Sequence, residues 1–273
     1  MSVIASGPTK NDLITALVQK ELKFSAILAG LVTDVSAFAV KGNQSISFPK
    51  LSSFTVGNRA LGTAGSESVI TATKEKMDLD QSAYLAWIID PKDAIQSTIE
   101  WEMETVKRAS SAHGRYVDEK LINVLETYGT PVGVAGNITK AIVLEMRKIL
   151  KTNQADLNQC VLLVSAEQEA NLLNIDEFTH ADVYGAGAPL ATGVVGRIYG
   201  VPCIVHSGLP AGSFYMFEKS GIAIGFQANP AYDEGPALEY GAGAKKRVLD
   251  QLFGVMALQV ESGVSKLIVK HGV

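Results

Sequence analysis

Along the chain the spacing of apolar residues changes period repeatedly, and each change predicts a different element. Near the start, Asn11-Asp12 offers a helix cap, and Leu13, Leu17 and Val18 repeat at helical spacing. Leu22, Ile27, Leu28, Leu31 and Val32 continue the apolar content, so residues 1–42 read as an arm that needs a surface to lie on. From Asn43 to Ile89 the period falls to two. Ile46 and Phe48 alternate with Ser45 and Ser47, Pro49 interrupts, and Phe54 and Val56 flank Thr55. Gly57, Gly62 and Gly65 mark turns, and the limb from Val69 to Asp80 returns rich in β-branched residues. This pattern predicts a long two-limbed β excursion. With Phe54 and Val56 near its far end, its apolar side has no cover on its own domain and needs a partner.

Asp90 to Tyr128 is the clearest element. Asp90 caps it, Pro91 suits the first helical position and Asp93 adds negative charge to the first turn. Ile95, Ile99, Met103 and Val106 form a stripe that Val117, Leu121, Val124 and Tyr128 resume, with a weak middle at Ala109 to Gly114 where a bend is expected. At the rise of an α-helix this segment spans roughly 55–60 Å and serves as a spine. Gly129 and Pro131 end it. Asn137 then caps a helix bearing Ile142, Met146, Ile149 and Leu150, and Val161 to Val164 reads as a buried strand. Ser165 and Gln168 form a capping-box pattern ahead of a short helix with Leu172 and Leu173. A glycine-rich loop (Gly185, Gly187, Gly193, Gly196) precedes short strands at Ile198-Tyr199, Ile204-Val205, Phe214 to Phe217 and Ile222 to Ile224. Strand character returns at Val255–Val260 and Val264–Val269.

Composition narrows the function. With 47% hydrophobic and 19% charged residues, the chain has material for a substantial core and is too apolar for disorder. A net charge of −4 argues against a dedicated nucleic-acid binder, though not against incidental contact through a local patch. Cys160 and Cys203 each sit in an apolar run, which predicts buried free thiols. Met1 to Lys20 lacks the layout of a signal peptide, and no stretch approaches the ~18 apolar residues of a membrane span. Synthesis in the cytosol and no membrane partner are expected.

The search for chemistry returns no catalytic residue, no cofactor site and no metal site. His113, His180, His206 and His271 lack metal-ligand spacing, and His206 reads as polar punctuation after a strand. Gly62-Thr63-Ala64-Gly65-Ser66 misses the nucleophile elbow because its serine follows the second glycine directly. Gly241 to Arg247 places cations after glycines without the P-loop spacing; it reads as a solvated turn, with intersubunit or nucleic-acid contact as the alternative. Gly185-Ala186-Gly187-Ala188-Pro189 lacks the third glycine of a dinucleotide fingerprint. Asp78 to Ser82 matches a calcium loop for three positions only, and Glu100, Glu102 and Glu104 read as a solvated helix face.

The order of elements (arm, long β excursion, spine helix, α/β lobe, closing strands) resembles the major capsid proteins of tailed bacteriophages, whose fold is named for the Hong Kong 97 phage. Gln44 to Pro49 looks like the strand entering the E-loop, and Asp90 to Tyr128 like the spine helix. Val161 to Ser165 with Leu172, Leu173 and Phe178, then Gly193 to Gly200 and Val201 to Val205, is similar to the axial-domain core. The resemblance implies an α+β fold with an N-arm (1–42), an E-loop with flanking strands (43–89), a peripheral domain with the spine helix (90–136), an axial α/β domain (137–250) and C-terminal strands returning to the peripheral domain (251–273). It implies no enzyme but a coat protein of the virion, assembled in the host cytoplasm into hexamers and pentamers of an icosahedral head around double-stranded DNA. Intersubunit contact is expected at Phe54, Val56, Arg59, Gly185 and Gly187. With no long N-terminal extension, a separate scaffolding protein or none is implied, along with a portal and non-specific contact with packaged DNA, and the presence of a decoration protein is left open. Lys50, Lys74 and Lys76 lie where some relatives crosslink, but nothing marks one of them and no crosslink is expected. Alternatives are an encapsulin-type nanocompartment shell, a small α/β enzyme binding phosphate near Gly185, and a tail-tube protein, the last disfavoured by the spine helix.

Overall fold

In a computed structural model of the chain, the described residues are 14, 15, 18, 26–51, 56, 70–89, 101–133, 136–174, 194–240 and 243–271. Strand β1 (Thr33–Asp34) is followed by a ribbon of β2 (Ser45–Leu51) and β3 (Ala72–Asp78), and β4 (Gln81–Ile89) precedes helix α1 (Trp101–Tyr128). After β5 (Thr130–Val132) come helix α2 (Lys140–Thr152), β6 (Cys160–Ser165) and helix α3 (Ala166–Leu173). Then follow β7 (Val194–Ile198), β8 (Val201–His206), β9 (Phe214–Glu218), β10 (Ile222–Pro236) and β11 (Lys245–Ala257), and the short β12 (Val260–Glu261), β13 (Val264–Ser265) and β14 (Ile268–His271). They build a four-stranded sheet in the order β1-β10-β11-β4, a six-stranded sheet in the order β5-β14-β9-β6-β8-β7, and the β2-β3 ribbon and β12-β13 pair.

Helix α1 organises both large sheets. Its 28 described residues give a length of about 42 Å; the expected cap at Asp90 and the positions Ile95 and Ile99 lie outside the described residues. Val117, Leu121, Ile122 and Leu125 share one core with Ile224 and Phe253 of the four-stranded sheet and with Val161, Leu163 and Phe217 of the six-stranded sheet. The helix is unbroken through Ala109 to Gly114, where a bend was expected. The small residues there let another segment lie close: Ser110 Oγ donates to the Val18 carbonyl at 3.0 Å, and Val18 and Ser110 are both fully buried.

Strand β6 explains its own composition. Its odd residues Val161 and Leu163 face the core with α1, while Cys160, Leu162 and Val164 face a second core with Met146 and Leu150 of α2 and Leu172 of α3. A strand covered on both faces reads as a continuous apolar run rather than an alternation. Two local expectations need correction. The cap of α2 is Thr139, whose Oγ1 accepts from the Ile142 N–H at 3.5 Å, and not Asn137. The capping box at α3 does not form either: Ser165 makes no side-chain cap bond, because Gln168 is buried and turned to the loop before α2. Its Oε1 accepts from the Ile138 N–H at 3.0 Å, and its Nε2 donates to the Gly136 and Gly212 carbonyls.

Strand pairing also divides the chain differently from the expected 137–250 and 251–273 segments. β10 and β11 pair with each other and β11 with β4, so residues 222–257 belong to the sheet beside α1 and not to the α/β lobe. β14 instead lies between β5 and β9. Ile268 and Val269 are fully buried on opposite faces of that sheet, one in each core, and only an interior strand position covers both.

The ribbon stands on the four-stranded sheet. Ile46 and Met77 are buried at its root with Val35, Leu79 and Ala223. The root lies over the paired glycines Gly225 and Gly254, where a Cβ would meet the Met77 methyl and the Asp78 carbonyl respectively. Pro49 does not interrupt β2; it pairs with Lys74 inside the ribbon. A proline is tolerated there because a two-stranded ribbon has only edge strands, and the missing N–H faces away from the partner.

Candidate assembly interface

Beside its apolar root, the ribbon is tied to the body by half-buried and exposed charges. Lys50 Nζ lies 3.4 Å from Glu75 and 3.7 Å from Glu261, and donates to the Val260 carbonyl at 3.3 Å. Lys266 pairs with Glu261 at 2.7 Å, and the hydrogen bond from Lys266 holds the Glu261 carboxyl below its ordinary range. Gln259 N–H donates to Glu75 Oε2 at 3.2 Å. These groups line a cleft of about 700 Å³ between the ribbon and the β12-β13 pair, with Phe48, Thr73 and Leu258 on its walls. Partly exposed pairs of this kind contribute little each and weaken with salt.

Apolar side chains are left uncovered in distinct places. Val56 is 95% exposed, and Ile70 on the returning limb is also exposed. On β4, Ala83, Leu85 and Trp87 face the interior. Alternation therefore turns Tyr84, Ala86 and Ile88 to the opposite face, beside Asp250, Val248 and Lys246 of β11. Tyr84 is exposed there, as are Leu238 and Tyr240 in the turn between β10 and β11. Scattered exposed apolar residues are ordinary, but a projecting ribbon and an open sheet face that both carry them are the marks of a contact surface.

Of the residues expected at intersubunit contacts, only Val56 is among the described ones; Phe54, Arg59, Gly185 and Gly187 lie outside them. Lys50 belongs to the root network, Lys74 faces Pro49 across the ribbon, and Lys76 pairs with Asp78 at 2.7 Å. The basic run at 245–247 is a correction. It opens β11 instead of forming a solvated turn, and Lys245 and Arg247 both pair with Glu234. Arg247 Nε also donates to Tyr232 Oη at 3.0 Å, with Arg247 buried. Burial pushes the Glu234 carboxyl up, but hydrogen bonds from Lys245 and Tyr232 and the charges of Arg247 and Lys245 outweigh it and hold it below its ordinary range.

His113, His206 and His271 are buried, while His180 lies outside the described residues. His113 is held below its usual range by burial. His271 stacks on Phe214 with ring centres 4.3 Å apart, its Nδ1 3.0 Å from the Val132 carbonyl. His206 is not mere punctuation: its Nε2 lies 3.0 Å from Oδ2 of Asp118, a buried pair 88 residues apart in sequence. Sequence reasoning missed that pair, although a carboxylate between Val117 and Leu121 on a buried stripe was a usable signal. The Cys160 and Cys203 thiols are buried and, chiefly by that burial, pushed up to about 12. Among the described residues no cluster of His, Cys, Asp and Glu is placed to hold a metal ion, and no helix is long and apolar enough to cross a membrane.

Residues 30–233 match a family model described as phage capsid protein. A comparison with curated proteins finds no match. Among solved structures, the chain is similar to one from Mycobacterium phage Che8, at 20% identity over 89% of each chain with a TM-score of 0.72. It is also similar to the mature capsid of bacteriophage PhiM1, at 13% identity over 100% of this chain and 90% of that one, TM-score 0.66. A virus-like particle from Pyrococcus furiosus aligns at 10% identity over 95% and 97% of the two chains, TM-score 0.62. At such identities the likeness is one of fold.

Proposed function

Because the chain belongs to the phage capsid protein family and is a major capsid protein of the Hong Kong 97-like fold, we propose how its parts build the shell. The protein self-assembles into the capsid of a virion; the finer arrangement is our reading. The six-stranded sheet with α2 and α3 acts as the axial domain and meets its copies at the centre of hexamers and pentamers. Helix α1 with the four-stranded sheet acts as the peripheral domain. The ribbon acts as the E-loop and lies over a neighbouring subunit, hiding Val56 and, with it, Phe54 and Arg59. Gly185 and Gly187, which follow α3 in the sequence, meet their copies near the capsomer centre.

The observation that carries this reading is the near-complete exposure of Val56, in the segment that joins the two strands of the ribbon. Many modest contacts of this kind, repeated under closed symmetry, give a stable shell without one tight interface. We read the chain as non-enzymatic, assembled in the host cytoplasm with a separate scaffolding protein and a portal, open to a decoration protein, and packed around double-stranded DNA that it touches non-specifically. A nanocompartment shell is the second reading, favoured by the similarity to the Pyrococcus furiosus virus-like particle. Negative-stain microscopy and light scattering of the purified chain test both. Closed shells or rings of five and six support assembly, and nucleic acid or a cargo protein inside separates the readings. A monomer that persists at high concentration and with scaffolding protein added overturns them.

A further inference from the structure

We infer that the Asp118 carboxylate is a joint that couples the anchoring of the arm segment 26–31 to the position of the six-stranded sheet. Asp118 sits on the buried stripe of α1 and is 1% exposed. Its Oδ1 accepts from the Leu28 N–H at 3.1 Å, and its Oδ2 accepts from the Ile27 N–H at 3.1 Å. The same Oδ2 lies 3.0 Å from His206 Nε2, at the end of β8. On the other side of the ring, Nδ1 accepts from the Gly208 N–H at 3.1 Å. That bond fixes the tautomer: Nδ1 is the acceptor, so Nε2 carries the proton and donates it to Asp118. Gly208 is required at this spot, because a Cβ there would sit 2.9 Å from the imidazole Cε1.

Three donors from two remote parts of the chain thus converge on one buried carboxylate of a third. A buried carboxylate oxygen left without a donor costs free energy. Withdrawal of the His206 donor leaves Oδ2 under-bonded in a dry site. The nearest relief is for water to enter from the arm side, where Ile27 is 42% exposed, since β8 is held by β6 and β7. A shift of the sheet that pulls His206 away therefore loosens the arm, and docking of the arm favours the position in which His206 is bonded. Coupling of this kind is reciprocal by thermodynamic necessity. In a subunit that must sit in several positions of a shell, such a joint passes a movement of the six-stranded sheet to the arm segment bonded to the same residue of α1. The joint belongs to the single chain, and its failure leaves the assembly reading untouched.

Amide hydrogen exchange on the full chain tests it, comparing the native protein with His206→Phe and His206→Gln. The phenylalanine removes the donor; the glutamine amide restores one. With His206→Phe, the Ile27 and Leu28 amides should exchange faster by on the order of tenfold beyond any change at the β6 amides, and His206→Gln should bring them back. Unchanged exchange at Ile27 and Leu28 in His206→Phe overturns the joint, as does a His206→Gln variant no better than His206→Phe. Where His206→Phe does not fold, Ile27→Pro asks the reverse question. The φ of −67° at Ile27 accepts proline, which deletes one arm donor. The His206 Nε2–H resonance should shift; a resonance at its native position overturns the inference.

Discussion

Replacing Val56 with aspartate separates folding from assembly. At 95% exposed, Val56 contributes almost nothing to the isolated subunit, and substitutions at such positions change stability by within about 0.5 kcal/mol. Subunit melting should therefore stay at the native temperature. If the ribbon buries Val56 against a neighbour, each contact gains about 1.5–3 kcal/mol from covering one valine side chain. Aspartate forfeits that gain and adds the penalty of placing a charge in an apolar contact. A loss of 1.5–3 kcal/mol lowers each pairwise association constant by roughly 10- to 150-fold. Because every subunit lends one ribbon, the deficit recurs at every position of the shell, and the concentration at which light scattering detects assembly should rise by at least tenfold. Assembly of Val56→Asp at the native threshold, with native melting, would refute burial of Val56 between subunits.

Gly254→Ala should lower stability by about 1–3 kcal/mol in a calorimetric melt, because the new methyl presses on the Asp78 carbonyl under the ribbon root; an unchanged melt would show that the root yields. Glu234 has its pKa lowered in the fold, so its contribution is complete above the unfolded carboxylate value near ~4.3 and is lost as pH falls through the folded value. Glu234→Gln should accordingly flatten the acid side of the stability profile, and an identical acid slope would count against the Lys245 and Arg247 pairs. With both thiols pushed up to about 12, only roughly one Cys in ten thousand is thiolate at pH 8. Alkylation of Cys160 and Cys203 should be slow in the native chain and complete in denaturant, as mass spectrometry would record; rapid native labelling would place the thiols outside the cores.

The sequence disclosed those parts whose periodicity comes from local burial. The long helix, the buried run at β6 and the two limbs of the ribbon were all legible, because their apolar spacing follows the faces they cover. What stayed hidden was non-local. The place of β14 between β5 and β9 depends on two cores meeting at one strand, and its four residues carry no mark of their partners. Gln168 looked like a capping residue because its spacing was right, yet the loop at 136–138 claimed its side chain. Lys245 and Arg247 looked solvated because cations after glycines usually are, whereas their acceptor, Glu234, comes from the opposite strand. Of the expected contact residues, Val56 alone lies among the described ones, where its side chain is exposed.

Pro49 has a consequence for the chain before it meets its copies. Both strands of the ribbon are edges, and an open edge invites any extended peptide to add itself by backbone pairing. At Pro49 the outer rim of β2 lacks a donor, so a stray strand would lose a hydrogen bond midway along its length. Newly made subunits, crowded at high concentration, are thereby steered away from joining rim to rim into open fibres. The ribbon is left to be recognised by the side chains it carries.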